Sequence, residues 1–586
     1  MRIYFTIIFI LISLCSESQP NRRTLHWYFS DFAGLDFSAG DAVEDPNGMV
    51  YSPNWEGSTV MSDQYGNLLF YCDGEKIWNK NHLLMTNDLT YPDIDRGYQG
   101  VVAIPKPGSS NLFYVFIVCK SNGSSRLPLY YFTIDISLQG GLGEVVSVDT
   151  LYSAYDAAEK ITATYHANKT DVWIITRKFQ DDTYAAYLIT GNGVNPDPIL
   201  SPAPQRELNW GPTNIGPMKI SLDKKYLVTT FMGDQSQEGG EVEVCKFNAQ
   251  SGEIEHLYSF QMSDYFLTSS SAIYEESSCE FSPCSKFLYV AAEIQTDSSS
   301  HVYQFDIQYI LDPDSFIQSG LLVDTVMGSN LQLAPDGRIY CFGKASMHFP
   351  TNPLNNFLGR FNNPGGLGLS SDYQSDVLIF QEGQVSSGLA YFVNDFLHRF
   401  DFEGQCALDT FYFDPWFFPE PTWIQWSFGD PASGSQNISN ELHAKHVFSH
   451  GGEFEVSVLL TYPSGRVEET SRVVEVDSVP YPNLGPDTLI CRGSSLALNA
   501  NCNGQSFTWS TGQWGVASIT VSDTGYYWVR ASYANGCDNH DTIHVGFLPE
   551  TQFDENALSV TPTACGGASG SITGLSIIGI EPMLLE

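Results

Sequence analysis

The chain has 586 residues, more than one hydrophobic core usually organises, so several domains are expected. Aromatic residues make up 13% of it and charged residues only 16%, with 50 Gly and 30 Pro, which is typical of short strands joined by tight turns and predicts an all-β protein. The formal net charge of −39 repels phosphate backbones and argues against nucleic acid as a partner. Solubility outside the cell explains this acidity; cation binding or adhesion to basic surfaces is the alternative.

Residues 1–18 have the pattern of an export signal. An apolar run follows an N-terminal Arg, and the small residues Ser16 and Ser18 suit cleavage before Gln19. This run is too short for an anchored helix, which needs about 20 apolar residues. Lipidation of Cys15 is the alternative. No later stretch is long and apolar enough to cross a membrane, so we expect a secreted or cell-surface protein without a transmembrane segment in the mature chain.

A phrase recurs between residues 26 and 398: a turn rich in Asp, Gly, Asn or Lys, then a short aromatic-aliphatic strand. The copies are DQYGNLLFY (63–71), GSSNLFYVF (108–116), NKTDVWIIT (168–176), SLDKKYLVT (221–229), FSPCSKFLYVA (281–291), LAPDGRIYC (333–341) and, more weakly, SSGLAYFV (386–393). Successive copies lie roughly 45 to 60 residues apart, the spacing of one four-stranded propeller blade. The pattern predicts a β-propeller over 26–398 with about seven blades, six and eight being allowed. A large β-sandwich with coincidental turns is the other interpretation.

Motifs that carry catalysis are not found in the sequence. There is no GxSxG elbow, HExxH helix, Walker loop or dinucleotide-binding Gly-rich turn. The acidic cluster at 91–95 lacks the oxygen-ligand spacing of a calcium loop, so no cofactor is expected and Ca²⁺ is not supported by a motif. Carboxylates that meet across a pore cannot be recognised in sequence, and a secreted polysaccharide hydrolase or lyase therefore stays open as the alternative.

Nearly all of this region is similar to a known propeller region. HWYFSDFAGLDFSAG (26–40), GNLLFYCDGEKIWNKNH (66–82), IPKPGSSNLFYVF (104–116), YYFTIDISLQGGLGEV (130–145), KITATYHANKTDVWIITRK (160–178) and AYLITGNGV (186–194) resemble it in large secreted proteins of Bacteroidota. There the region typically precedes PKD modules, and many members carry a C-terminal gliding-type or type IX sorting domain. The resemblance implies an architecture and an export route, but no activity.

A second resemblance begins after a junction at 399–410 that contains Cys406. WSFGD (426–430), HVF (446–448) and GGEFEVSVLL (451–460) resemble the PKD domain, an immunoglobulin-like sandwich expected over 399–479. The matching positions, which we interpret as structural, are Trp426, Phe428, Gly429, Asp430, His446, Phe448, Gly452 and Phe454. His443, His446 and His450 invite a metal-site hypothesis, but the neighbouring pattern is a strand and packing explains the motif histidine.

Two further modules follow. DTLICRGSSLALNA, FTWSTGQWGVASITV and DTGYYWVRASYANGCDNHDTIHV, within 483–547, resemble bacterial Ig-like modules, and this resemblance implies a disulfide between Cys491 and Cys537; free buried thiols are the alternative. Alternating apolar residues predict half-buried strands at Phe507–Trp509, Ile519–Val521, Tyr526–Trp528 and Ile543–Val545. The final stretch, matched at Val560, Cys565 and Gly570, resembles the start of a SprB-type repeat of gliding adhesins, so a truncated repeat is expected over 556–586.

These features favour an extracellular or cell-surface binding or adhesion scaffold without catalytic activity of its own. The propeller is expected to be the ligand-binding head, and the PKD and Ig-like modules are expected to be spacers. The expected partner is an extracellular polymer or a cell-surface protein or glycan. The alternatives are the polysaccharide hydrolase or lyase, with its active site in the propeller pore or in a missing C-terminal part, and a purely structural surface-layer element.

Overall fold

The structure is a computed structural model, and the described part of the chain is nearly all β. It covers residues 22–51, 57–85, 96–119, 129–151, 157–178, 183–204, 216–231, 241–262, 274–294, 299–326, 330–342, 356–385, 388–415, 417, 420–550, 552–563 and 565–578. The predicted export signal and the acidic cluster at 91–95 lie outside these residues. The chain forms two compact units: unit 1 comprises residues up to 403 with 411–446 and 454–474, and unit 2 comprises 404–410, 447–453 and 475–586.

Unit 1 begins with small meanders of antiparallel strands. A three-stranded sheet contains β1 (His26–Phe29), β2 (Ala33–Asp36) and β3 (Val43–Glu44). The next strands are β4 (Ser58–Ser62), β5 (Leu68–Cys72) and β6 (Ile77–Asn79). A nine-stranded sheet follows, with β7 (Arg96–Pro105), β8 (Leu112–Cys119), β9 (Leu129–Asp135), β10 (Glu144–Leu151), β11 (Ala157–Tyr165), β12 (Val172–Lys178), β13 (Thr183–Thr190), β14 (Gly193–Val194) and β15 (Ile199–Pro202). Its two halves meet at one parallel pair, Lys160 with Gln99.

Three four-stranded meanders come next. The first contains β16 (Met218–Ile220), β17 (Tyr226–Phe231), β18 (Glu241–Phe247) and β19 (Ile254–Gln261). The second contains β20 (Tyr274–Phe281), β21 (Phe287–Ile294), β22 (Ser299–Asp306) and β23 (Leu321–Val326), with the short helix α1 (Pro313–Gln318) before its last strand. The third contains β24 (Asn330–Leu333), β25 (Ile339–Phe342), β26 (Phe357–Phe361) and β27 (Tyr373–Ile379). Strand β28 (Ala390–Tyr391) then returns to pair in parallel with β4.

The hydrophobic cores of unit 1 lie between successive meanders. One cluster joins β12 and β13 to β16–β18 through Trp173 and Leu227, another joins β17 and β18 to β20–β22, and a third joins β21 and β22 to β24–β26. The cluster around Trp27 and Tyr340 joins β1 and β2 to β24–β26, and also to β4 and β5. Both faces of most strands are therefore covered, which explains why the strands are nearly continuous apolar runs.

The recurring sequence phrase corresponds to one structural position. In its first six copies the polar turn connects the first and second strands of a meander, and the apolar run is the second strand: β5, β8, β12, β17, β21 and β25. Asp63 shows how such a turn is held, because its carboxylate accepts hydrogen bonds from the backbone N–H groups of Tyr65 and Asn67. The seventh copy differs, since it contains β28, which pairs in parallel with β4.

The remaining strands of unit 1 belong to the predicted PKD region. They are β29 (Phe400–Glu403), β30 (Thr410–Pro415), β31 (Trp423–Ser427), β32 (Ile438–Ser439), β33 (Lys445–Val447), β34 (Gly452–Thr461) and β35 (Val467–Val476). They form one sheet in the order β29-β30-β33 and another in the order β32-β31-β34-β35.

Short 3₁₀ turns occur at Ile307–Tyr309, Gly368–Ser371, Asn394–Leu397 and Pro431–Asn437. None of the helices in the described part of the chain has the length and apolar character to cross a bilayer.

Unit 2 contains a small two-sheet module and a ribbon. Strands β36 (Thr488–Ile490), β38 (Ser506–Trp509), β40 (Gly525–Ser532) and β41 (Asp538–Phe547) form a sheet in the order β36-β41-β40-β38, and β37 (Leu496–Asn499) pairs with β39 (Ser518–Val521). Their core surrounds the buried Trp509. Two strand pairs follow, β42 (Gln552–Asp554) with β45 (Ser576–Ile578) and β43 (Ser559–Thr561) with β44 (Ser571–Thr573).

Candidate functional site

Polar side chains from the first strands of the meanders meet in a buried group, the Lys219 cluster, made of Gln99, Lys219, Glu280 and Gln332. Lys219 donates from Nζ to Glu280 Oε2 at 2.8 Å and to Gln332 Oε1 at 2.6 Å. Gln99 bonds both backbone groups of Met218, the residue before Lys219. The cluster brings together β7, β16, β20 and β24, four strands that are distant in sequence.

The carboxylate of Glu280 is fully used inside this cluster. Besides Lys219, it accepts hydrogen bonds from the backbone N–H groups of Phe281 at 2.9 Å and Leu333 at 3.0 Å. A carboxylate that is buried and bonded in this way has its oxygens occupied by partners inside the fold, so it is not placed to exchange protons with a substrate. The Lys219 cluster therefore acts as an internal cross-link between first strands.

A second buried charged group lies between β11–β13 and β17–β18. Tyr184 donates from its hydroxyl to Glu243, Arg177 Nη2 lies 3.6 Å from Glu243 Oε2, and Lys160 Nζ donates to the carbonyl of Thr230 at 2.8 Å. Burial, with further contributions from Cys245 and Glu243, raises the pKa of Tyr184 well above its ordinary value. This tyrosine therefore stays protonated and serves as a hydrogen-bond donor.

Four buried cysteines of unit 1 are not suited to nucleophilic chemistry. Burial raises the pKa of Cys245, Cys279, Cys284 and Cys341, and the thiolate is the reactive form. These cysteines therefore behave as small apolar core residues.

One solvent-accessible cleft is lined mainly by polar side chains, and we call it the β1–β6 cleft. Its volume is about 460 Å³, and its polar lining comes from Arg22, His26, Ser38, Tyr65, Asn67, Lys80 and Asn81. None of the residues that line it is acidic, although the chain carries 67 acidic side chains. The cleft therefore places two exposed cations, Arg22 and Lys80, beside the carboxylates of Asp36 and Asp63, and these cations suit a carboxylate, sulfate or phosphate group.

Local geometry holds the rim of the β1–β6 cleft in place. Gly66 has a φ of +93°, and a Cβ at this position would lie 2.5 Å from Leu25 Cδ1, so a larger residue would strain the turn. His26 reaches the carbonyl of Gly66 through Nε2 at 3.2 Å, while Nδ1 lies 3.9 Å from Asp36. On the other wall, the side chain of Asn79 accepts the backbone N–H of Asn81 at 2.9 Å and so shapes the turn that presents Lys80. No sequence motif predicted this cleft, because its residues come from four separate segments of the chain.

The motif residues Trp426, Phe428, Asp430 and His446 of the predicted PKD domain are buried in unit 1. Trp426 is fully buried and contacts Phe400 at a ring distance of 5.0 Å, and its indole N–H donates to the carbonyl of Glu441. Phe428 lies parallel to His446 at 4.3 Å, and His446 Nε2 bonds Asp430 at 3.3 Å. Burial lowers the pKa of His446, against the opposing effect of Asp430. These contacts show that the motif residues stabilise the core of this region by packing and hydrogen bonding.

The remaining motif positions are also structural. Gly429 has a φ of +67°, and a Cβ there would lie 2.6 Å from the carbonyl oxygen of Glu455, which only glycine avoids. Phe448 and Phe454 are buried, and Gly452 begins β34. The other histidines of the metal hypothesis are exposed: His443 lies 3.4 Å from Asp414, and His450 contacts the carbonyl of Gly451. Within the described ranges no group of three or more His, Cys, Asp or Glu is placed to hold a metal ion.

The predicted disulfide is wrong in one of its partners. Cys537 is bonded to Cys406, with Cα atoms 5.5 Å apart, and Cys491 is an exposed free thiol. The reason is the register of β36, which pairs in parallel with the end of β41, so that Ile490 accepts a hydrogen bond from Leu548. Cys537 precedes the other end of this ten-residue strand, about 30 Å away at ~3.3 Å per residue.

The comparisons with known proteins give only weak likenesses. No protein-family model matches the chain, and no curated protein sequence matches it either. Among solved structures, the Dos1 propeller has a TM-score of 0.34 and 10% identity, covering 67% of this chain and 90% of that chain. The periplasmic gluconolactonase PpgL of Pseudomonas aeruginosa has a TM-score of 0.29 and 13% identity, covering 80% and 100%. A complex of Dpr11 IG1 with DIP-gamma has a TM-score of 0.11 and 11% identity, covering 25% and 98%. Likenesses at these scores carry no argument about activity or ligand.

Proposed function

We propose that this chain is an extracellular binding scaffold of the secreted Bacteroidota type, in which residues 26–398 form a seven-bladed β-propeller that carries the ligand site. Six blades would be the meanders that begin at β4, β7, β11, β16, β20 and β24, because in the described part of the chain the halves of the nine-stranded sheet meet at the single parallel pair of Lys160 with Gln99. The seventh would be β1–β3. Its Trp27 packs at 6.1 Å on Tyr340 of the last meander, which supports ring closure.

The single observation that carries the binding function is the β1–β6 cleft. Arg22, Lys80 and Asn81 are exposed at its rim, and Tyr65 adds an aromatic ring that is also exposed. The most deeply buried acids, such as Glu280 and Glu243, are instead bonded to lysine, arginine, tyrosine or backbone groups. The acids beside the cleft are bonded within its walls, Asp36 to Ser38 and Asp63 to Tyr65 and Asn67, so the exposed cations of the rim favour recognition over hydrolysis.

The contrast between the cations of the cleft and the acidic rest of the chain indicates the chemical class of the ligand. The rest of the chain is strongly acidic, and exposed charges act over only about 8 Å at physiological ionic strength. An acidic polymer would therefore be attracted at the β1–β6 cleft rather than over the whole surface. We propose an acidic extracellular polysaccharide as the ligand of this cleft, with the PKD and Ig-like modules as spacers and export through the predicted signal at 1–18.

This proposal predicts that charge removal in the cleft weakens binding of alginate, a soluble uronic-acid polymer. The variant Arg22→Ala/Lys80→Ala should lose about ten-fold or more in affinity, since a hydrogen bond to a charged group contributes about 1.5–3 kcal/mol. Isothermal titration would measure this loss. Lys246→Ala is the matched control, because Lys246 is an exposed lysine outside the cleft, 3.5 Å from Glu255. Equal affinity of the double variant and the control would contradict the cleft assignment.

A further inference from the structure

The Ig-like module of unit 2 has an unusual outer face. Along β40, Val529 and Ala531 are buried in the module core, whereas Tyr526 and Trp528 are 74% and 40% exposed. The half-buried strand predicted at Tyr526–Trp528 is present as β40, but these two rings stand on its exposed side. Two large aromatic rings stand on the solvent side of this sheet, where alternation would normally place polar residues.

Neighbouring strands extend this face in both directions. On β41, His544 pairs with Tyr526, and their rings lie 4.7 Å apart. Beyond β41, Leu489 of β36 pairs with Gly546 and is 54% exposed. A Cβ on Gly546 would lie 2.7 Å from Leu489 Cδ2, so the glycine leaves room for this side chain to lie across the strand.

On the opposite side the face ends in Trp514. This residue forms a β-bridge with Thr508, which pairs with Arg530 of β40, so its side chain is on the same side of the sheet as Trp528. Trp514 is 82% exposed. Backbone hydrogen bonds on both sides of it hold the turn, one from Trp509 to Gln513 and one from Gly515 to Phe507. The ring is thus anchored and presented to solvent.

Together these residues form an elongated track, which we call the aromatic track: Trp514, Trp528, Tyr526, His544 and Leu489. Successive rows along β40 are two residues, or about 7 Å, apart. An exposed apolar strip of this kind marks an interaction site in a soluble protein. Its length and narrowness fit a linear chain better than a globular partner.

The charges near the aromatic track indicate which kind of linear polymer it could bind. The one cation on the track's strand, Arg530, is already paired with Asp538, with Nε at 2.7 Å from Oδ1, so the pair has no net charge. Besides the Arg530–Asp538 pair, the charged neighbour of the track is Asp487, whose carboxylate accepts the backbone N–H of His544 at 2.9 Å. The track residues and their cross-strand neighbours Thr508 and Thr542 are uncharged, in a chain whose net charge is −39. A polycation would prefer the acidic surface elsewhere, and a polyanion would find no cation free to receive it. An uncharged polymer matches this face.

We propose that the aromatic track binds a single uncharged polysaccharide chain, which gives the module a recognition role beyond that of a spacer. The faces of Trp and Tyr rings pack on the C–H bonds of sugar rings, since these rings have electron-rich faces and large apolar area. The sugar hydroxyls would meet the polar groups between the rings, namely Thr542, His544 and the Arg530–Asp538 pair. The track lies in unit 2, so this proposal does not depend on the β1–β6 cleft.

Affinity electrophoresis of the full chain tests this, with hydroxyethyl cellulose, galactomannan or soluble starch in the gel. At least one of these uncharged polymers should retard the protein. Trp514→Ala and Trp528→Ala should each lower the association constant about ten-fold, the effect of ~1.4 kcal/mol. Trp423→Ala, which removes an exposed tryptophan from unit 1, should leave it unchanged. The retardation should persist in 1 M NaCl, because stacking is not screened by salt.

Three results would overturn the proposal: no retardation by any of the three polymers, retardation that both track variants retain, or self-association of the wild-type chain that Trp528→Ala abolishes. The last would identify the track as a contact between copies of this chain. The cleft variant Arg22→Ala/Lys80→Ala should still bind the uncharged polymer, so failure of one site is distinguishable from failure of the other.

Discussion

Replacement of Glu468 by glutamine is expected to destabilise unit 1 by about 3–5 kcal/mol, because it leaves a buried arginine without its counter-charge. Glu468 Oε1 lies 2.8 Å from Arg399 Nε, and Oε2 accepts the Tyr462 hydroxyl at 2.7 Å and lies 3.0 Å from Arg466. Arg399 also donates to the carbonyl of Pro335 at 2.6 Å, so the pair connects β35 to the turn between β24 and β25. Urea unfolding at neutral pH measures the loss.

The same group predicts an acid-sensitive stability. Burial alone would raise the pKa of Glu468, but Arg399 and Arg466 outweigh it and lower the pKa to about 2. A carboxyl whose folded pKa lies below its unfolded value stabilises the fold above that unfolded value, near 4.5, and this contribution is lost as pH falls towards 2. The wild type should therefore lose more stability than Glu468→Gln between pH 5 and 2, an interval set by these two pKa values.

Glu469→Gln is the matched control for this prediction. Its carboxylate lies 2.6 Å from Lys286 Nζ, but both side chains are more than a third exposed, and such pairs contribute about 0–1 kcal/mol. A loss of similar size in Glu468→Gln and Glu469→Gln would contradict the role assigned to the buried pair.

Loss of the Cys406–Cys537 disulfide is expected to destabilise unit 2 by about 2–5 kcal/mol, since the two cysteines are separated by 131 positions and the bond restricts a long loop in the unfolded chain. The bond holds residues 404–410 next to Asp477. The backbone N–H of Asp477 donates to the carbonyl of Gln405, and its carbonyl accepts the backbone N–H of Ala407. In the variant Cys406→Ser/Cys537→Ser, amide hydrogen exchange of β40 and β41 should become correspondingly faster.

Cys491→Ser is the control for the disulfide, because this cysteine is exposed and free, and we expect a change within about 0.5 kcal/mol. Peptide mapping of the purified protein without reduction should recover Cys406 and Cys537 in one linked peptide pair. Recovery of a Cys491–Cys537 pair instead would contradict the register of β36.

Local features of the fold were accessible from sequence, and long-range ones were not. The turn at Asp63 and the apolar strand after it form a hairpin through contacts within a few residues, so their pattern is visible in the chain. Cys406 and Glu468 acquire their partners only when strands far apart in sequence come together. The alternation at Tyr526 and Trp528 was visible too, but the pattern does not reveal which side of a strand is buried, because a shift of one residue exchanges the two faces.

The β1–β6 cleft, like the long-range contacts of the fold, could not be predicted from the sequence. Arg22, Tyr65 and Lys80 are ordinary surface residues in the sequence, and they meet because β1, β5 and β6 bring three turns to one place. The β1–β3 meander also lacks the recurring phrase, so its place beside β4 and the last meander follows from the packing of Trp27. Ligand recognition of this kind depends on tertiary assembly rather than on a motif.

The most direct test of the binding-scaffold function measures retention and turnover in the same sample. The purified protein would be incubated with alginate and with the three uncharged polymers, followed by affinity electrophoresis and by assays for new reducing ends and unsaturated products. We predict retention by at least one polymer, with product formation at the level of a protein-free blank. Product formation in proportion to protein concentration, abolished by Glu280→Gln in a variant that still folds, would contradict the binding-scaffold function and identify a polysaccharide hydrolase or lyase.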